Sequence, residues 1–76
     1  MKDLLLLIAR NLVDNPDEVT VTEIETDKST TYELRVARED MGKVIGKQGR
    51  IANSIRSVIK AAAYKNDKRV FVEIVQ

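Results

Sequence analysis

The residues best suited to chemistry lie in one stretch, Gly42-Lys43-Val44-Ile45-Gly46-Lys47-Gln48-Gly49-Arg50-Ile51-Ala52. Gly46 and Gly49 flank two polar residues. Glycine at each end lets the backbone turn tightly and lets another backbone approach closely. A helical pattern follows, so the loop feeds a helix N-terminus. Such an end holds unpaired N–H groups and roughly half a positive charge, which suits an anion. Lys43, Lys47 and Arg50 surround the same place, and Arg56 follows two turns on. A sugar–phosphate backbone satisfies all of these features together. Ile45 precedes the loop, and Ile51 and Ile55 mark one edge of the coming helix. They are placed to floor a shallow groove for bases while phosphates meet the glycines. The same residues also suit a plain helix–turn–helix with a glycine cap and all three isoleucines in the core.

Other chemistries lose ground quickly. Histidine and cysteine are absent. That removes the commonest general base, the commonest metal ligands and every Ser–His or Cys–His nucleophile pair. A nucleotide-binding P-loop requires G-x-x-x-x-G-K-[ST] between a strand and a helix. Here three residues separate Gly42 from Gly46, and Gln48 stands where Ser or Thr must meet magnesium. The acids Glu23, Glu25, Asp27 and Glu33 read as a solvated face that repels RNA, not as a metal site. The chemistry expected is binding, without catalysis, cofactor or metal.

At 76 residues the chain reads as one domain, 1–76. A fold of this size buries only about 60% of its unfolded surface, so its core is small. The composition, 43% hydrophobic and 33% charged, fits a globular domain and excludes a disordered tail. The net charge of +1 hides an asymmetry. Residues 1–40 hold ten acids and five bases, a net −5, and residues 41–76 hold two acids and eight bases, a net +6. A basic second half suits nucleic acid; the two halves attracting each other across the fold would explain it equally. No stretch approaches the ~20 apolar residues of a membrane span. The five apolar residues from Leu4 to Ile8 are too short for a secretory leader. The reading by default is cytoplasmic, with no membrane.

The positioning elements follow from periodicity. Residues 2–14 form a helix with a wide apolar face from Leu4, Leu5, Leu7, Ile8 and Leu12, ended by Asn15-Pro16. Residues 18–26 and 30–37 form a hairpin. Glu23 falls out of phase between Val21 and Ile24, which predicts a β-bulge. A short helix covers 39–45. The long helix runs 50–65, with Ile51, Ile55, Val58, Ile59 and Ala62 on one face and Asn66-Asp67 as its stop. The last strand holds Val70, Val72 and Ile74 on one face and Phe71 and Val75 on the other, so it is expected to be covered on both sides, at least in part. The order α-β-β-α-α-β predicts an α+β fold: a three-stranded sheet packed by three helices on one face, with a right-handed crossover if the flanking strands are parallel.

Val44-Ile45-Gly46-Lys47-Gln48-Gly49, in this order of elements, resembles the G-x-x-G core of the KH RNA-binding domain. The handful of nucleotides such a loop clamps is a property of that domain. The order looks like its bacterial, type II form. The resemblance covers the whole chain, and Glu39-Asp40-Met41-Gly42-Lys43 before the loop looks like the KhpA family of single-KH proteins. It implies that Gly46, Lys47, Gln48 and Gly49 meet RNA, with Ile45 as the apolar residue before the loop and Arg50 as the basic one after it. Ala52 stands where many KH domains place a large aliphatic side chain, so Ile51 and Ile55 take over that packing. The expected RNA-binding set is Lys43, Ile45, Gly46, Lys47, Gln48, Gly49, Arg50, Ile55 and Arg56. The resemblance further implies single-stranded RNA as ligand, a second KH protein, KhpB, as partner, and an RNA-chaperone role in cell-wall homeostasis and cell length.

Four consecutive leucines, 4–7, point in all directions on a helix, so at least one is exposed. Such a surplus predicts a homodimer, or a heterodimer with another KH protein. Ala61-Ala62-Ala63 predicts close helix–sheet packing. The alternative to RNA binding is an interaction or dimerisation module with little affinity for RNA.

Overall fold

The computed structural model describes residues 1–63 and 68–75. The expected helix stop at Asn66-Asp67 lies outside them. Helix α1 spans Lys2–Leu12 and buries Leu5 and Ala9, one turn apart. Leu7 is the exposed leucine, at 60%. The helix ends two residues before the expected Asp14, because Val13 is already extended. The reason lies far away in sequence. The Asp14 and Asn15 N–H groups donate to the Asp40 carboxylate at 3.2 and 3.0 Å, and the Asn15 side-chain amide adds a bond of 3.0 Å.

Strands β1 (Thr20–Glu25) and β2 (Ser29–Arg35) pair antiparallel in unbroken register, from Thr20 opposite Arg35 to Glu25 opposite Thr30. The expected bulge at Glu23 is absent. Glu23 keeps the phase of Val21 and stands opposite the buried Tyr32, whose hydroxyl donates to its carboxylate. Burial, then that carboxylate, pushes the Tyr32 hydroxyl above its ordinary value. Ile24 is therefore left on the outer face, 45% exposed.

After a single 3-10 turn at Arg38–Asp40 come α2 (Met41–Ile45) and α3 (Arg50–Ala63), then β3 (Arg69–Val75). β3 pairs parallel with β2, Ser29 opposite Arg69 through Arg35 opposite Val75. The sheet is mixed, in the order β1-β2-β3, and the α-β-β-α-α-β order is as expected. Leu5, Val21, Tyr32, Leu34, Val44, Ile55, Ile59 and Val72 meet in one core between the sheet and the helices. The expected cover on the second side of β3 is partial: Val75 is half-buried, but Phe71 is 43% exposed. It lies in register with Thr31 and Ile24 on the face that the helices leave open. Of Ala61-Ala62-Ala63, only Ala63 is buried.

Asp40 ties the end of α1 to the start of α2. Its carboxyl is fully buried, which alone would favour the neutral form. The Asn15 amide, the two backbone N–H groups and Lys43, 3.7 Å away, outweigh burial and hold it below the ordinary carboxylate value. A lowered folded value means stability that is present above the ordinary carboxylate range and is lost as pH falls through the folded value. Melting midpoints measured from pH 7 to pH 2 are expected to fall in that acid window. Asp40→Asn is expected to melt lower at pH 7 and to flatten the acid limb. An Asp40→Asn profile as steep as the parent's would remove Asp40 as the cause.

Candidate functional site

The loop Gly46–Gly49 is one tight turn between α2 and α3. The Gly46 N–H donates to the Gly42 carbonyl at 2.9 Å, and the Gly49 N–H donates to the Gly46 carbonyl at 3.2 Å. Three of its residues have positive φ: Gly46 at 75°, Gln48 at 58° and Gly49 at 77°. Gly46, with ψ of 175°, occupies a region essentially closed to residues with a Cβ. The space is closed as well: a Cβ on Gly46 would lie 2.5 Å from Ile51 Cγ1. The turn therefore rests on Ile51, and Lys47 and Gln48 stand exposed at its tip. Gln48 adopts a left-handed conformation without being glycine, a strain of the kind that clusters at ligand clamps. Immediately beyond, α3 begins with Arg50 and has no acid in its first turn. Its positive dipole end is uncompensated and faces the same place as Lys47 and Arg50.

α3 has two unlike flanks. Ile51, Ser54, Ile55 and Val58 face α1 and, with Leu4, Ile8 and Leu12, line an apolar groove. Asn53 and Arg56 lie on the opposite flank, toward β3. There Arg56 Nε donates to the Val72 carbonyl at 3.0 Å, and Arg56 Nη1 donates to Asn53 Oδ1 at 3.2 Å.

The expected RNA-binding residues thus separate. Gly46, Lys47, Gln48, Gly49 and Arg50 share one place, and Ile45 beside them is 37% exposed. Ile55 is 3% exposed and belongs to the core. Its free edge turns to α1, so it does not floor a groove beside the polar flank. Lys43 ion-pairs with Asp14 and Asp40 at the junction of α1 and α2. Hydrogen bonding to Asp14 raises its ammonium above the ordinary value, although burial works against this. Lys43 is held there by two acids and does not stand free for a phosphate. The pairs Lys43–Asp14, Lys43–Asp40 and Lys68–Glu25 each join an acid of the first half to a base of the second. Attraction between the halves is real, but Lys47, Arg50 and Lys60 remain exposed. Asn53 was not expected. Its only signal is its spacing, four residues after Gly49 and three before Arg56, which places all three along one side of a helix.

Residues 2–74 match the family model for the KH domain of KhpA/KhpB. The chain is similar to three proteins named RNA-binding protein KhpA. It is 65% identical to that of Clostridium acetobutylicum over 99% of this chain and all of that protein. It is 53% identical to that of Listeria monocytogenes over the whole of both. It is 51% identical to that of Aquifex aeolicus over all of this chain and 96% of that protein.

Proposed function

Because the chain belongs to the KhpA/KhpB family of KH domains, a non-catalytic family, we propose that it binds single-stranded RNA through Gly46-Lys47-Gln48-Gly49. The observation that carries this reading is the tight glycine turn, tipped by exposed Lys47 and Gln48, at the uncompensated amino end of α3. The relatives' names, RNA-binding proteins all, support it. Glycine at 46 and 49 lets the turn fold tightly against Ile51, which leaves its exposed tip to a phosphate. Lys47, Arg50 and the helix end supply the positive charge. Arg56 and Asn53 extend the polar surface toward β3.

Few phosphates fit so small a surface, two or three. With a single-strand slope near −0.7 per phosphate, log affinity is expected to fall with log salt at roughly −1.5 to −2. Affinity for short single strands is expected to be micromolar, and weaker for duplex, whose bases are not splayed. Titrating one oligomer at several salt concentrations tests this. A slope steeper than about −5 would mean a far larger basic surface and would remove the loop as the main contact.

The finer role follows the family: a cytoplasmic RNA chaperone that acts with a KhpB-like KH protein in cell-wall homeostasis and cell-length control. A second reading, association of the chain with itself, is favoured by the apolar groove between α1 and α3, with Leu12 37% and Val58 47% exposed. A second copy laid against α3 would cover these side chains and leave the loop open. Light scattering over a hundredfold concentration range is expected to show a dimer. A strict monomer at the highest concentration would leave only a heterologous partner.

A further inference from the structure

Strand β1 is bonded on one side only. β2 takes its inner edge, and the sheet order β1-β2-β3 leaves its outer edge without a strand among the described residues. The hairpin fixes which backbone groups face outward. The Thr26 N–H donates to the Ser29 carbonyl at 2.8 Å. Pairs along an antiparallel ladder alternate between bonded and unbonded, so Ile24 with Thr31 and Thr22 with Glu33 are bonded pairs in the observed register. The N–H and C=O groups of Val21, Glu23 and Glu25 therefore point away from β2. Val21 is buried, but Thr22 to Glu25 are all exposed. The backbone of Glu23 and Glu25 thus offers alternating donors and acceptors to solvent, and none of the described residues bonds to them.

Open edges are commonly blunted by lysine, by proline, by a bulge or by shortness. β1 has none of these: it is six residues long, Thr20–Glu25, and pairs in unbroken register. What it carries is charge of one sign. Residues 17–27 hold the acids Asp17, Glu18, Glu23, Glu25 and Asp27, all exposed, and no base. Such an edge refuses a second copy of itself, because β1 on β1 would set acid against acid. It refuses RNA for the same reason. A cationic strand meets no such barrier. The two faces of β1 ask for different neighbours. Glu23 and Glu25 share one phase, and the Tyr32 hydroxyl holds the Glu23 carboxylate from the neighbouring strand. Ile24 lies on the opposite, open face, 45% exposed, in a row with Thr31 and Phe71.

We propose that the β1 edge takes up an extended segment of another protein in which cations alternate with apolar residues, added as a further strand of the sheet. Lysine or arginine stands opposite Glu23 and Glu25, and valine or isoleucine stands opposite Ile24. Main-chain bonds to Glu23 and Glu25 supply affinity, and the alternation of side chains supplies selectivity. A second copy of this chain does not meet the requirement, since no two of its lysines and arginines are spaced two apart. β1 is the edge of the sheet farthest from β3, on which Arg56 of α3 is anchored. The added strand and RNA at the glycine loop therefore do not compete.

The test uses the full chain and three labelled seven-residue peptides. One alternates lysine and valine, one alternates glutamate and valine, and one is the lysine peptide with its backbone nitrogens methylated, which keeps the charge and removes the N–H donors. The lysine peptide is expected to bind about tenfold more tightly than either of the others. At saturation it is expected to slow hydrogen exchange at the Glu23 and Glu25 amides about tenfold, while the Ile24 amide, already bonded to β2, changes little. Glu23→Gln with Glu25→Gln keeps an acceptor for the Tyr32 hydroxyl and removes the charge. It is expected to weaken the lysine peptide about fivefold and to leave RNA binding within about twofold of the parent's. Glu25→Pro removes an outward N–H without costing a bond to β2, and is expected to weaken the peptide more than Glu25→Gln does. If Glu25→Pro does not fold, the methylated peptide and the exchange rates still decide on the parent chain. Failure of the lysine peptide to bind overturns the proposal and leaves the acids as a guard on the edge. Equal binding of the methylated peptide overturns it too, as does binding without slowed exchange at Glu23 and Glu25, since either would mean attraction between charges and no added strand.

Discussion

Replacing Lys47 and Gln48 together by aspartate is expected to cost RNA binding at least tenfold, about 1.4 kcal/mol. The two residues stand exposed at the tip of the turn, where a phosphate must sit to meet the glycine backbone and the first turn of α3. Aspartate there sets negative charge against negative charge and occupies the positive helix end from outside. The fold has no reason to respond. Neither side chain contributes to the core. Gln48 holds φ of 58° and ψ of 25°, a left-handed region that aspartate visits more readily than glutamine. The circular dichroism spectrum and melting midpoint are expected to match the parent's, and self-association through the α1–α3 groove is expected to survive. Unchanged RNA binding in the double variant would show that the loop is not the site, and the interaction-module reading would then lead.

Gly46→Ala is expected to be the most damaging single-methyl addition in the loop. The backbone at φ 75° and ψ 175° belongs to glycine, and forcing another residue into it costs about 1–3 kcal/mol. The new Cβ also meets Ile51 at 2.5 Å from Cγ1 and 2.9 Å from Cβ. A γ-carbon can rotate away, but the Ile51 Cβ is fixed to its backbone, so α3 itself must shift. A combined loss of about 3 kcal/mol lowers the melting midpoint by roughly 12–24 °C in a domain of this size. Gly49→Ala has the strain, φ 77°, without the clash, and is expected to cost less. Gly42→Ala meets nothing within 4 Å and lies in α2, so it is expected to be neutral or stabilising by about 0.5–1 kcal/mol. Thermal melts of the three variants test the order. Equal melting of Gly46→Ala and Gly42→Ala would mean that the turn is not held as described.

The order of elements and the loop were legible because they rest on local signals. Helical spacing from Ile51 to Ile59, alternation from Tyr32 to Val36 and two glycines three apart need no knowledge of the rest of the chain. What was not legible depends on partners far apart in sequence. Glu23 looked out of phase, because alternation counts apolar side chains and cannot see that Tyr32 brings a hydroxyl to meet a carboxylate. Lys43 looked like one more cation near the loop until the chain brought Asp14, on another element, to its ammonium. Ile55 and Arg56 are neighbours in sequence. Only the packing of α1 on one flank of α3 and β3 on the other shows that one belongs to the core and the other to a polar seam. Phe71 reads as part of a second buried face because an apolar side chain at a strand edge reads the same whether or not anything covers it.

The parallel pairing of β3 with β2 sets when the site can exist during synthesis. Each β3 residue finds its partner forty positions back, from Arg69 on Ser29 to Val75 on Arg35. The loop and α3 lie inside that span. A growing chain can form α1 and the hairpin early, since their contacts are near in sequence. The seam between α3 and β3 must wait until β3 has left the ribosome, because contacts of long separation form late and slowly. Val72, whose carbonyl anchors Arg56, is made sixteen residues after it. A chain that has not yet released β3 therefore has the glycine turn but no wall beside it, and the loop and its flanking strand are completed at different times.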